Sequence, residues 1–282
     1  MDYIILIVGL ALLTIGADLL TKGCVGMAAR FRVPEFIVGL TVMAVGTSMP
    51  ELTVSTISAL NGSSDMAIGN VTGSNIFNTL IILGICALIR PMVFTKENVR
   101  RDIPLCIGVS ALLLVMALYI GQTAGIGRVE GIILFVSYVA MIWFTIRADK
   151  KSAPKEDNAP IMPAWRIPIW ILLGLAGLIF GGDMFVESAS NIARQWGVSE
   201  ATIAITLVAG GTSMPELASS LVSIFKGKTS LALGNVLGSN IANILLILGG
   251  SALISPLSFS GMTYVDIGIL LLCAAFIFAS AF

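Results

Sequence analysis

The chain has 282 residues, 57% of them hydrophobic and only 11% charged, against about 25% charged in an ordinary soluble domain. Lys plus Arg and Asp plus Glu balance at 16 each, with the cations gathered in short loops, which argues against a nucleic-acid partner. Histidine is absent, so a His-based triad, a zinc-histidine site or a histidine proton relay is excluded, and the mean hydropathy of +0.99 points to a bilayer.

Nine apolar segments are predicted as spans, at 4–26, 36–60, 66–89, 103–121, 126–147, 167–190, 201–225, 230–254 and 262–282. They are apolar on all faces, which favours helices over barrel strands. The first segment has an acidic residue and no basic one before it, so it reads as a retained span, not a cleaved signal. Gly, Pro, Asn and Ser inside the second, third, seventh and eighth spans predict broken helices. Of the 16 Lys and Arg, 14 lie in or beside loops that follow odd-numbered spans, and only Arg128 and Arg194 lie on the other side. That bias puts the odd-span loops in the cytoplasm and the N-terminus outside. The four cysteines, Cys24, Cys86, Cys106 and Cys273, lack metal-ligand spacing and read as small packing residues.

The heptapeptide Gly46-Thr47-Ser48-Met49-Pro50-Glu51-Leu52 returns unchanged as Gly211-Thr212-Ser213-Met214-Pro215-Glu216-Leu217, 165 residues later. Residues 39–91 match 204–256 without a gap, with 29 identities in 53 positions. Five spans precede the second copy, and an odd number inverts it in the membrane. The expected architecture is an all-α membrane protein of two inverted repeats. Residues 1–147 form the first repeat, 148–166 a cytoplasmic linker and 167–282 a second repeat with four visible spans. The offset places the partner of the fifth span beyond residue 290, so either the protein stops at nine spans or, as the repeat favours, a tenth follows Phe282.

Glu51 and Glu216 are committed to apolar spans, where ionised groups are expensive and mark an ion path. Pro50 and Pro215 free backbone oxygens one turn earlier, near residues 46–47 and within Ala209–Thr212. Thr47, Ser48, Thr212 and Ser213 add hydroxyls spaced to share a helix face with the following glutamate. A second repeated element, Gly-Asn-Val-x-Gly-Ser-Asn-Ile-x-Asn, places Ser74 with Asn78, and Ser239 with Asn243, four residues apart on one face. For Asn70, Asn75, Asn235 and Asn240, bonding of backbone groups and direct ion contact both stay open. Two carboxylates among neutral oxygens suit a hard cation such as calcium, and their charge would equally be neutralised by two sodium ions. Asp18 and Asp183 occupy equivalent places suited to a vestibule or an interhelical bond; Glu35, Glu200 and Asp65 read as solvated.

These motifs resemble the calcium/cation antiporter family, specifically the prokaryotic sodium/calcium exchangers. The resemblance implies a ten-helix fold, alternating access with spans one and six as a sliding bundle, and no catalytic residue or cofactor. It implies calcium at Glu51 and Glu216 with backbone oxygens of Thr47 and Thr212. It implies sodium at the same glutamates with Ser48, Ser74, Ser213, Ser239 and the carbonyls of Ala44 and Ala209, and it sets Asn78 and Asn243 beside the site. The family pattern has Asp where this chain has Asn243, which leaves room for proton coupling. The expected function is calcium/sodium antiport in a prokaryotic cytoplasmic membrane, with calcium/proton antiport or a passive cation channel as alternatives. An intramembrane hydrolase using Ser48 or Ser213 lacks an activating His or Lys. Oligomeric state is left open, with one chain sufficient for transport.

Overall fold

The computed structural model describes residues 1–120, 125–149, 162–203, 206–207, 210–259 and 264–280. Its helices in chain order are α1 (Asp2–Phe31), α2 (Glu35–Thr47), α3 (Met49–Leu60), α4 (Ser64–Ile89), α5 (98–120), α6 (Arg128–Asp149), α7 (Arg166–Gln195), α8 (Glu200–Ile203), α9 (Met214–Phe225), α10 (Thr229–Ile254) and α11 (Tyr264–Ser280). Among the described residues, α1, α4, α5, α6, α7 and α10 are long and apolar enough to cross a membrane. The bent pair α2–α3 makes a seventh, and α9 and the last helix are shorter apolar helices. Residues 150–161 of the predicted linker lie outside the described residues.

Apolar side chains face outward on the peripheral helices, as in a protein solvated by lipid. Ile4, Ile7, Leu10 and Ile15 on α1, and Val129, Ile132, Val136 and Val139 on α6, are all exposed. The polar residues are instead gathered inside. Within α10, 94% of the most apolar window is buried, and Asn235, Ser239, Asn240 and Asn243 lie in that interior.

The two prolines set the interruptions. Ser48 (φ −83°, ψ 12°) leaves helical geometry between α2 and α3, which bend by 47°. Ser213 (φ −88°, ψ 8°) does the same before α9. In both places proline sits in the first turn of the following helix, where its missing N–H breaks no internal bond. Spans three and eight were expected to break and do not. They hold no proline, and each carries a π segment inside a continuous helix, at Asn78–Ile82 and Asn243–Leu248.

The inversion is visible in the outer bundle. Helices α1 and α7 run antiparallel, with Gly9 against Gly181 and Gly16 against Gly174. The 165-residue offset carries Gly9 to Gly174 and Gly16 to Gly181, so the contact maps onto itself. A Cβ on Gly16 would stand 2.7 Å from Leu178 N and 2.8 Å from the Gly174 carbonyl oxygen, so only glycine permits this backbone approach. Inside, α2 lies equally close on α10: a Cβ on Gly238 would come within 2.4 Å of the Leu40 carbonyl oxygen.

Candidate functional site

Glu51 and Glu216 each occupy the first turn after an interruption, and both are completely buried. The serine that ends each break donates across to the other half. Ser48 Oγ donates to Glu216 Oε1 at 2.8 Å, and Ser213 Oγ donates to Glu51 Oε1 at 3.0 Å. Ser74 Oγ adds a donation to Glu51 Oε1 at 3.2 Å. No Lys or Arg among the described residues pairs with either carboxylate. Buried ionised groups without a counter-charge are costly, so this centre must be neutralised by a cation or by protonation.

The threonines and asparagines form a second crosswise layer. Thr47 Oγ1 lies 3.3 Å from Asn235 Oδ1 and also reaches the Met43 and Ala44 carbonyls at 3.1 and 3.3 Å. Thr212 Oγ1 donates to Asn70 Oδ1 at 3.4 Å. Asn70 Nδ2 in turn donates to the Glu51 carbonyl and to Ser55 Oγ at 3.2 and 3.0 Å. Asn235 Nδ2 holds Ser219 and Ser220 at 3.1 and 3.0 Å. Asn70 therefore bonds backbone and side chains around its break, and Asn235 bonds side chains.

At the meeting of α4 and α10, Asn78 Nδ2 donates to Asn240 Oδ1 at 3.2 Å and Asn243 Nδ2 donates to Asn75 Oδ1 at 2.9 Å. What remains is a set of acceptors without partners. Glu51 Oε2, Glu216 Oε2, Asn78 Oδ1 and Asn243 Oδ1 are buried and receive no hydrogen bond among the described residues, and the Ser239 hydroxyl is likewise unpartnered. Native interiors leave few such atoms, and here four of them form two offset-related pairs. All are oxygens of the kind that hard cations take.

The structure thus joins Glu51, Glu216, Ser48, Ser213 and Ser74 by direct bonds. Asn78 and Asn243 lie one turn beyond Ser74 and Ser239 on the same helix faces. The Ala44 carbonyl already accepts from Ser48 N at 3.0 Å, and its symmetry mate Ala209 lies outside the described residues. Asp18 lies away from the centre, paired with Lys22 at 2.6 Å and with Lys226. Its equivalent Asp183 is exposed and has no cationic partner among the described residues. Glu200 is exposed, as expected, and pairs with Arg194 at 2.7 Å, while the half-buried Glu35 pairs with Lys228 at 2.7 Å. All four cysteines are buried and free.

The family model for sodium/calcium exchanger protein matches residues 1–147 and 166–282. The chain belongs to the sodium/calcium exchanger protein family. Within that family it is 37% identical over 261 residues to the putative antiporter CaxA of Alkalimonas amylolytica, covering 90% of this chain and 81% of that protein. It is 32% identical to the sodium/calcium exchanger MaX1 of Methanosarcina acetivorans, over 93% of this chain and 85% of that one. A solved structure of the sodium-calcium exchanger NCX_Mj superposes with a TM-score of 0.84 at 30% identity, covering 99% of this chain and 90% of that one.

Thr79 and Thr21 are among the polar residues of this exchanger-family chain that escaped the sequence reading. Thr79 accepts from Asn240 Nδ2 at 3.0 Å, and Thr21 shares a 3.1 Å bond with Ser223. Neither is duplicated, since the offset puts Ile244 and Val186 in their places; the repeat carried no signal for them.

Proposed function

We propose that the chain exchanges calcium for sodium across a prokaryotic cytoplasmic membrane, with Glu51 and Glu216 sharing the central site. The supporting observation is the reciprocal pair Ser48–Glu216 and Ser213–Glu51, which leaves one oxygen of each buried carboxylate open. Calcium would take those oxygens with the backbone carbonyls of Thr47 and Thr212. Sodium would take them with Ser48, Ser74, Ser213 and Ser239, the carbonyls of Ala44 and Ala209, and the amide oxygens of Asn78 and Asn243. Both loads cancel the charge of two carboxylates, and a site carrying its bare charge crosses hydrocarbon poorly. Competition for that charge couples the two fluxes, and one chain holds all the ligands. The chemistry is transport and involves no covalent step.

The repeats, at 1–147 and 167–282 with a cytoplasmic linker between them, would place the basic loops inside the cell and the N-terminus outside. Alternating access is supported by an asymmetry of packing. Helix α1 lies along α9, tied by Thr21–Ser223 and Asp18–Lys226, whereas the equivalent helices α7 and α3 make at most marginal contact. The Lys226 end is therefore the more tightly packed of the two, and the basic-loop orientation would make the opposite end the outer face.

Protons are the second reading for the counter-ion. It is favoured by Asn243, which leaves Glu51 and Glu216 as the only acidic groups among the site residues. The test is calcium uptake into vesicles reconstituted with the purified protein. Vesicles loaded with sodium and diluted into sodium-free calcium buffer should accumulate calcium, and those carrying Glu216→Gln should not. Uptake driven by a pH gradient in sodium-free vesicles would replace sodium with protons. Calcium leak needing neither gradient would make the protein a channel.

A further inference from the structure

We infer that Asn75 is a positioning residue that fixes the side-chain amide of Asn243 so that its carbonyl oxygen, never its NH2, faces the transported cation. The inference rests on the function proposed above and concerns a residue outside the assigned ligand set. An asparagine amide offers an acceptor at one end and two donors at the other, and a cation is attracted only by the first. A ligand free to rotate would present the wrong end part of the time.

Asn75 removes that freedom through a chain of forced choices. A backbone carbonyl can only accept, and the Asn240 carbonyl lies 2.9 Å from the Asn75 amide. The atom facing it must therefore be Nδ2. The other end of Asn75 is then Oδ1, also an acceptor, and it receives Asn243 Nδ2 at 2.9 Å. That leaves Asn243 Oδ1 facing away, buried and without a hydrogen-bond partner among the described residues. Asn75 and Asn243 are both completely buried, so bulk water cannot substitute for either link.

The equivalent amide in the first half is held differently. Asn78 Nδ2 donates to Asn240 Oδ1 at 3.2 Å, and Asn240 Nδ2 donates to Thr79 Oγ1 at 3.0 Å. A hydroxyl both donates and accepts, so this second chain ends on a group that tolerates either orientation. Only the Asn243 amide is tied to a one-way anchor. The two outer-shell asparagines, identical in the repeat, thus hold their partners with unequal strictness.

The test is a double-mutant cycle read as sodium binding to purified protein, with melting temperature as the check on folding. Asn75→Leu keeps the branched shape and deletes both links, and should weaken sodium binding about tenfold or more, as loss of an orienting partner does at metal sites. Asn243→Ala removes the amide that Asn75 would orient. In that background, Asn75→Leu should change affinity by no more than about twofold, the scatter of independent sites. Should Asn75→Leu not fold, Asn75→Ala takes its place in the same cycle. Equal losses in both backgrounds, or no loss in the first, would overturn the positioning role while leaving the proposed exchange intact. A parent protein that binds no sodium would remove the proposed function itself, and the inference with it.

Discussion

At the scale of single residues, each serine of the repeated heptapeptide serves the carboxylate of the opposite half. Ser48→Ala and Ser213→Ala should therefore have near-equal effects, because they delete bonds of 2.8 and 3.0 Å that map onto each other. A hydrogen bond to a charged group contributes about 1.5–3 kcal/mol, so either change should shift half-saturation by sodium about tenfold or more in an equilibrium binding assay. A tenfold inequality between them would contradict the reciprocal arrangement. The residues of this centre were legible in the sequence because duplication inside apolar spans isolates them. Their pairing was not. Spacing places Ser48 on the helix face of Glu51, but the bend at Ser48 turns its hydroxyl toward Glu216, and a one-dimensional period cannot register a bend. The asparagines show the same limit: their number was plain, but which end of each amide faces inward depends on a neighbour from the other repeat.

At the scale of helices, the repeat predicts equivalence and the structure departs from it where the sequence does. Lys226 ends α9 and ties it to Asp18, whereas the equivalent position at the end of α3 is Asn61. The Lys226→Asn substitution would give both ends the same chemistry and loosen α1 from α9. The Lys226 and Asp18 side chains are 29% and 33% exposed, and such pairs are worth at most about 1 kcal/mol. A cysteine placed at Ser223 should then react with a thiol reagent up to about fivefold faster in the Lys226→Asn protein; an unchanged rate would show that the pair does not help close this end. The four native cysteines are buried and should add little background. Among the described residues, seven of the nine predicted spans match helices or a bent pair long enough to cross a membrane, and the interruptions at Pro50 and Pro215 were readable too. The π segments beginning at Asn78 and Asn243 were not, because one extra residue per turn leaves no mark on composition.

At the scale of the whole molecule, backbone contact at glycine holds α1 to α7 and α2 to α10. The outer pair packs on the inner helices through one apolar cluster that includes Leu13, Leu20, Val38, Met43, Leu178 and Leu231, with a few polar ties beside it. The Gly16→Val substitution would force side-chain atoms against the α7 backbone at Leu178 N, 2.7 Å from the first added carbon. Overpacking of this kind costs about 1–3 kcal/mol. Thermal unfolding in detergent should therefore begin at a lower temperature, and calcium exchange should fall with it. Unchanged melting would mean that the pair can separate without cost. Contacts from Gly9 to Gly23 run for about 21 Å along the helix axis, most of the depth of a hydrocarbon layer. A rod stiff over that depth cannot lift from one rim of the path and stay lifted at the other. If the proposed exchange works by such a tilt, admitting an ion on one side would press the rod down on the far side, so that opening one end would shut the other.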